Sequence, residues 1–253
     1  MAERDKGAVL GGNIAKPKSS LPRRFYKQAT TRVEGDGRVA LLLDGKPVRT
    51  PGKAQLLLPN AGLAEAIAAE WQAQGERIDP ETMPLTRVAN SVIDGVKGRE
   101  DAVIDDILAH AATDVICYRA GGPQGLVQAQ SRHWDPIAAW AKRDLGAPLA
   151  LAEGVMHVQQ PQASLDQLRQ RLLAFDAWSL AALHVMTGLS GSALLALGVA
   201  LGRLSPQAAW DAAHVDEDWQ IGQWGEDEEA KHRRARRWRD FAAAAGMLDL
   251  LRG

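Results

Sequence analysis

A histidine followed by three acids is the part of the sequence whose residue types and spacing could bind a metal ion. On a helix, His214 shares a face with Glu217 or with Asp218, three or four residues later. An imidazole beside carboxylates can hold a metal ion that activates water for hydrolysis. Helical bundles with two metal ions repeat such a motif on a second helix, and this sequence has no second copy. A metal-dependent hydrolase that uses His214 and Asp216–Asp218 is therefore one alternative for the function.

The same region also has the composition of a protein-binding face. If one helix spans 206–223, a single stripe along it carries Trp210, His214, Glu217, Ile221 and Trp224. Trp219 lies off that stripe. Tryptophans beside charges that lose their water are typical of interface hot spots. The other interpretation is that the tryptophans belong to the core and the acids to a solvated face.

Other catalytic signatures are absent from the sequence. It has no glycine-rich phosphate loop, no G-x-S-x-G nucleophile turn, no H-E-x-x-H and no C-x-x-C. The single cysteine, Cys117, lies in an apolar run, where we expect a buried and unreactive thiol. One cysteine also excludes an internal disulfide and a zinc site built from several cysteines. No motif therefore indicates catalysis or a bound cofactor.

A basic run near the C-terminal end is the one feature that could bind nucleic acid. Residues 231–239 carry six Lys or Arg side chains, with Trp238 available for base stacking. The acids at 226–229 begin the same predicted helix, over 226–245, and would weaken phosphate binding. The net charge of the whole chain is only −1. We therefore expect no nucleic-acid partner and interpret the run as a helix whose charges complement its dipole.

The sequence also bears on compartment and membrane association. Residues 177–202 contain no Asp, Glu, Lys or Arg, but a cluster of Gly, Ser and Thr interrupts them, so we expect two buried helices and no membrane insertion. The beginning of the chain has no apolar signal core, and Glu3 and Asp5 do not suit a transit peptide. We expect a cytoplasmic bacterial protein, and a monomer. Gly, Lys, Ser and Pro dominate residues 1–22, which predicts a disordered segment.

Two different patterns predict the elements that position these residues. Short apolar runs separated by turn residues, including Asp44-Gly45, predict three or four antiparallel strands, at 25–27 with 31–33, at 39–43, at 47–50 and at 55–58. Helical periodicity predicts helices after Asn60, over about 85–96, and at 100–112, 124–144, 164–174, 178–188 and 191–202, besides those above. The fold class is therefore α+β: a small antiparallel sheet with helices at 23–97, then an all-helical domain at 98–253.

The most informative segment runs from residue 70 to residue 94. It combines an aromatic residue, Trp71, with an extended proline-containing link and an amphipathic helix. This combination indicates a packed binding surface better than it indicates an active site. Trp71 either closes the core of the first domain or stands exposed as an aromatic anchor.

Several pieces of the sequence together resemble a known family, the ATP synthase assembly chaperones that act on the α subunit of the F-type catalytic head. These are the mitochondrial "ATP twelve" family and its α-proteobacterial relatives. The matching pieces run in order over about residues 24–237. They include Arg24-Phe25-Tyr26, Asp44-Gly45-Lys46-Pro47-Val48-Arg49-Thr50-Pro51, Glu70-Trp71, Met83-Pro84-Leu85-Thr86, Thr113-Asp114, Trp134-Asp135-Pro136, Ser190-Gly191-Ser192, Asp216-Glu217-Asp218-Trp219-Gln220 and Trp224-Gly225.

The resemblance implies a function as well as a fold. Family members bind the unassembled α subunit, keep it from aggregating until it pairs with β, and catalyse no reaction; relatives in eukaryotes act in the mitochondrial matrix. By motif, Trp71 and one of Asp216, Glu217 or Asp218 match the family's functional positions. The resemblance favours the interface interpretation of the stripe over 210–224, where Asp216, Glu217 and Asp218 would pair with cations of the partner and the tryptophans, Trp219 and Trp224 among them, would supply apolar contact. It therefore implies a chaperone without a cofactor, whose partner is the α subunit.

Overall fold

The structure, a computed structural model, describes residues 21–154 and 156–252. The chain divides into two compact units, one up to Gly98 and the other from Arg99 onward. Residues 1–20 of the predicted disordered segment lie outside the described residues. The remaining two residues of that segment are described, and the Pro22 carbonyl accepts a hydrogen bond from the Ile78 N–H at 2.9 Å.

Four antiparallel strands form the sheet of the first unit. They are β1 (Ala29–Val33), β2 (Val39–Leu43), β3 (Lys46–Pro47) and β4 (Leu57–Leu58). β2 lies in the centre, pairs with the other three, and is buried along its whole length. Asp44 and Gly45 have φ values of 48° and 79°, which confirms the predicted tight turn between β2 and β3. No strand forms over 25–27, where we predicted one.

Two helices complete the first unit. α1 (Ala61–Gln72) begins at Asn60, whose side chain accepts a hydrogen bond from the Leu63 N–H, as predicted for an N-cap. The apolar side of α1 is buried, and the helix packs on β1 and β2. α2 (Pro84–Ser91) continues into a wider π-helical turn at Val92–Val96. The apolar pattern persists across this change, which explains why the sequence predicted one continuous helix.

The second unit is mainly helical. Its helices are α3 (Glu100–Ala112), α4 (Gln124–Asp144), α5 (Gln162–Leu172), α6 (Ala177–Ser190), α7 (Ala193–Ala200), α8 (Pro206–Ala213), α9 (Val215–Trp224) and α10 (Glu228–Arg252). Every residue of α7 is buried, and α6 packs against α3, α7 and α10. A short parallel pair, β5 (Tyr118–Arg119) with β6 (Ala152–Glu153), was not predicted. The α+β class, with a small sheet-containing unit before a helical one, is confirmed.

Two helix boundaries bear on the candidate site. The single helix predicted over 206–223 is wrong, because the chain leaves helical geometry at His214 (φ −116°, ψ 18°) and restarts as α9. The charge-free stretch at 177–202 forms two helices, as predicted, which separate at Gly191 (φ 69°). Among the described residues, no helix has both the length and the apolar character needed to span a bilayer.

Candidate functional site

An arginine holds the end of the helix that carries Trp71. The last carbonyl groups of a helix have no partner within it and need donors from elsewhere. The Arg24 guanidinium donates to the carbonyls of Gln72 (3.2 Å) and Tyr26 (3.0 Å), and also to that of Gln74. It also lies 4.6 Å from the centre of the Tyr26 ring, within cation–π range. Arg24 therefore fixes the C-terminal end of α1 against the segment before β1.

Trp71 packs into a small aromatic cluster at this end of α1. Its ring lies 5.7 Å from that of Tyr26, and the Tyr26 hydroxyl donates to the Trp71 carbonyl at 2.7 Å. Burial raises the pKa of Tyr26, and Arg24 opposes part of that effect. The Trp71 indole N–H is buried, and none of the described residues accepts its hydrogen bond. Phe25, which packs edge-on against Tyr26, is 73% exposed. Trp71 is thus partly buried, and Phe25 is the exposed member of the cluster.

Glu70 joins α1 to α2. Its carboxylate accepts hydrogen bonds from the Leu85 N–H (2.7 Å), the Thr86 N–H (2.8 Å) and the Thr86 hydroxyl (2.7 Å). Burial raises the pKa of Glu70, against the lowering effect of these bonds. The N-cap residue of α2, Met83, makes no side-chain cap bond. The Glu70 carboxylate instead accepts the hydrogen bonds of the free N–H groups at the start of α2. Glu70 therefore has a structural role beside Trp71.

Two of the three predicted acids on α9 are held by the protein itself. Asp216 accepts a hydrogen bond at 2.7 Å from the Gln130 side chain, which in turn accepts from the Ala120 N–H at 2.8 Å. Gln130 is buried on α4, so Asp216 fastens α9 to α4. Asp218 forms an ion pair with Arg234 of α10 and raises the pKa of that guanidinium. Both side chains therefore help to position α9.

Glu217 differs from its neighbours in being weakly engaged. Its carboxylate lies 4.0 Å from the Nε2 atom of His214, at the limit of an ion pair. Burial lowers the pKa of His214, which favours the neutral imidazole at pH 7. An uncharged imidazole neutralises little of the Glu217 charge. Arg234 interacts with Glu217 at longer range but forms its ion pair with Asp218, so the Glu217 carboxylate remains available to a cation from outside.

The two tryptophans of the predicted stripe, Trp210 and Trp224, and the neighbouring Trp219 have three different environments. Trp210 is 3% exposed and packs against Trp238 and Phe241, so it belongs to the core. Trp219 is partly buried against α4: a Cβ atom placed on Gly125 would lie 2.3 Å from its ring. Trp224, the last residue of α9, is 81% exposed. The predicted stripe is therefore wrong, because the break at His214 separates Trp210 from α9 and places it in the core.

The structure gives no support to a metal site at His214. Its Nδ1 atom lies 2.8 Å from the Trp210 carbonyl oxygen, and its ring centre lies 4.0 Å from that of Trp210, with the two rings tilted by 38°. Asp216 and Asp218 are engaged with Gln130 and Arg234 as described. Within residues 21–154 and 156–252, no three His, Cys, Asp or Glu side chains are grouped so that they could hold a metal ion.

The predicted site residues therefore fall into two local sites, each in its own unit. In the first, Trp71 is partly buried beside the exposed Phe25, which the sequence prediction did not select. In the second, α9 carries the half-exposed Glu217 and the exposed Trp224. The only sequence signal for Phe25 is its place between Arg24 and Tyr26; neither its exposure nor the contacts of its neighbours follow from residue types alone.

Comparison with known proteins places this arrangement in a family. A family model described as ATP12 chaperone protein matches residues 23–142. The Atu1473 protein of Agrobacterium tumefaciens has 47% identity and a TM-score of 0.88, over 91% of this chain and 87% of that one. Atp12 from Paracoccus denitrificans has 42% identity and a TM-score of 0.83, over 90% of this chain and 98% of that one. The chain belongs to the ATP12 chaperone family.

Membership of the ATP12 family is consistent with the site geometry. The mitochondrial protein atp12 of Schizosaccharomyces pombe is 24% identical over 85% of this chain and 79% of that protein. The family is named as one of chaperones and not of enzymes, and membership in it confirms that the protein is not an enzyme. The protein is an assembly chaperone of ATP synthase.

Proposed function

We propose that this ATP12-family chaperone binds the unassembled α subunit of the F-type catalytic head and prevents its aggregation until α pairs with β. A subunit that normally sits in an assembly exposes apolar and charged surface when it is alone, and such surface aggregates unless it is covered. The observation that carries the proposal is the solvent-facing side of α9, where an 81% exposed Trp224 follows the weakly engaged carboxylate of Glu217.

The two side chains of α9 suit different parts of such an interface. Full burial of a tryptophan removes about 150–250 Å² from water, which makes it a strong apolar anchor. A carboxylate paired with a cation of the partner mainly directs association and selects the partner. Asp216, Asp218 and Trp219 keep α9 in place, and through that position they contribute to the same surface.

Trp71 belongs to a second proposed contact, in the first unit. Since its indole is partly buried against Tyr26, it acts by shaping the surface on which Phe25 stands.

The proposed complex is between one copy of this chain and one α subunit, and we place it in the bacterial cytoplasm. β must be able to displace the chaperone, so the complex needs only moderate affinity.

Co-expression tests this function. The tagged chain is produced with the α subunit of the same organism, with and without β, and soluble α is measured in the eluate. We expect α to stay soluble and to co-purify in the absence of β, and to be released when β is present. Insoluble α with nothing co-purified would refute the proposal.

Charge reversal tests the face of α9. Glu217→Lys should reduce the α that co-purifies without changing the melting curve, since no strong bond of Glu217 supports the fold. The matched control is Asp166→Lys, which reverses an exposed acid on α5 that accepts a hydrogen bond from Gln162 of the same helix. Equal recovery of α with both variants would remove Glu217 from the interface.

A further inference from the structure

The outer edge of β1 has no neighbouring strand among the residues that the structure describes. Alternate residues of an antiparallel strand direct their backbone groups to the same neighbour. Gln28 accepts from the Asp44 N–H at 2.9 Å and Glu34 donates to the Arg38 carbonyl at 2.8 Å, so even-numbered residues face β2. Ala29, Thr31 and Val33 therefore direct their N–H and C=O groups away from the sheet.

The Gln72 side chain makes the hydrogen bonds that a neighbouring strand would make on this edge. The Gln72 carboxamide accepts a hydrogen bond from the Ala29 N–H at 2.9 Å and donates one to the Lys27 carbonyl at 3.3 Å. A residue of a parallel strand makes the same pair of bonds, to the carbonyl of one residue and to the N–H two positions later. The edge thus accepts a peptide-like group at its first position.

The next positions along the edge have no partner within residues 21–154 and 156–252. An added parallel strand would make the same pair of hydrogen bonds at two further positions. The first position consists of the Ala29 carbonyl and the Thr31 N–H, and the second of the Thr31 carbonyl and the Val33 N–H. None of the described residues bonds to the outward groups of Thr31 or Val33. Unpaired edges of this kind are usually protected by proline, by a bulge or by charged side chains. β1, with the sequence ATTRV, has neither proline nor a bulge, and its one charged residue, Arg32, forms an ion pair with Glu34.

A groove runs beside this edge, between β1 and α1. It has a volume of about 460 Å³ and is lined by Ala29, Thr30, Thr31, Glu65, Ala68, Ala69 and Gln72. Small side chains from α1 leave room for the side chains of an added strand. Glu65 is the one ionisable residue in this lining, and no described residue forms an ion pair with it.

We propose that the β1 edge binds an extended segment of the client polypeptide as an added parallel strand, next to Gln72. Main-chain hydrogen bonds to an edge strand give affinity, and the adjoining groove selects side chains. The segment that fits has small or apolar residues facing Ala68 and Ala69, and a Lys or Arg that reaches Glu65. This proposal rests on the proposed function, since the client is the unassembled α subunit.

Substitution of Thr31 tests the edge without disturbing the sheet. Thr31→Pro removes the outward N–H, and proline is tolerated on an edge strand where its nitrogen faces away from the neighbour. Thr31→Val changes the same side chain but keeps the N–H, and so serves as the matched control. Ala69→Phe fills the groove from α1, and it carries the test if Thr31→Pro fails to fold.

The probes are fluorescein-labelled 15-residue peptides that tile the α-subunit sequence of the same organism, titrated with the full chain. We expect at least one peptide to bind the wild-type chain and the Thr31→Val variant equally. Its Kd should rise about tenfold in Thr31→Pro, from the loss of one main-chain hydrogen bond, and at least as much in Ala69→Phe. Glu65→Lys should weaken peptides that contain Lys or Arg.

Three results would overturn the proposal. In the first, no peptide binds the wild-type chain. In the second, a peptide binds but its Kd is unaffected by Thr31→Pro and by Ala69→Phe. In the third, the chain alone forms a dimer that Thr31→Pro dissociates, so that a second copy is the occupant.

Co-purification of whole α, measured in parallel, separates the two proposals. If α co-purifies but no peptide binds, the edge proposal fails and the chaperone function stands. If peptides bind at the edge but whole α does not co-purify, the edge binds extended segments as proposed and the proposed chaperone function fails.

Discussion

Asp114 is a completely buried carboxyl group in the second unit, and replacing it with asparagine should change how stability depends on pH. The carboxylate accepts hydrogen bonds from the Ile116 N–H (3.3 Å) and the Leu194 N–H (3.1 Å), and Ser192 and Ala193 also contribute. These groups belong to the first turn of α7 and to the turn after Asp114. Burial nevertheless outweighs the bonds and raises the pKa of Asp114 from 3.8 to about 6.

The size and sign of the effect follow from that difference in pKa. At about 1.4 kcal/mol for each pKa unit, the change from 3.8 to about 6 is worth about 3 kcal/mol. Since the folded pKa lies above the unfolded one, the native state binds more protons than the unfolded state between these values. The stabilisation is therefore fully present below about pH 4 and is lost as the pH rises through about 6.

Urea unfolding of wild type and Asp114→Asn at several pH values measures this contribution. The amide does not ionise, so the stability of wild type relative to the variant should rise by about 2–3 kcal/mol when the pH falls from 7 to 4. Any constant effect of the amide on hydrogen bonding cancels in this comparison. Asp166→Asn on the surface of α5 is the control. A relative stability that is independent of pH, or that falls on acidification, would refute the reasoning.

Three further substitutions test the contacts around the candidate site by the free energy of unfolding. Glu70→Ala should destabilise the first unit by about 2–4 kcal/mol, because the N–H groups at the start of α2 lose their acceptor; a loss below about 0.5 kcal/mol would contradict the cap. Gly125→Ala should cost about 1–3 kcal/mol by overpacking against Trp219, and an unchanged urea midpoint and fluorescence spectrum would show that the ring moves freely. Trp71→Arg should cost about 2–4 kcal/mol by placing a charge against Tyr26; an unaltered melting curve would argue against burial of Trp71.

Features set by neighbouring residues could be predicted from the sequence. The Asp44-Gly45 turn, the Asn60 cap of α1 and the Ser205-Pro206 start of α8 all depend on the conformational preferences of a few adjacent residues. The break at His214 could not be predicted, because no glycine or proline marks it. The π-helical turn at 92–96 leaves the apolar spacing intact and was missed for a similar reason.

The candidate site depends on distant partners, and these decide what each predicted residue does. Asp216 meets Gln130 and Asp218 meets Arg234 only through the packing of α9 on α4 and α10. Sequence alone treated the three adjacent acids as equivalent. The structure distinguishes them by their partners and leaves Glu217 as the weakly engaged one.

The affinity of the purified chain for the isolated α subunit, compared between wild type and Trp224→Ala, tests the central claim most directly. Burying about 150–250 Å² at about 25 cal/mol per Å² corresponds to as much as about 4–6 kcal/mol, and truncated hot-spot tryptophans typically cost 2 kcal/mol or more. We therefore predict a Kd at least about thirtyfold higher for Trp224→Ala, with an unchanged melting temperature. Leu201→Ala, which removes another exposed apolar side chain of the second unit, should leave the Kd unchanged. Equal Kd values for Trp224→Ala and wild type, or no binding of α by wild type, would contradict the account.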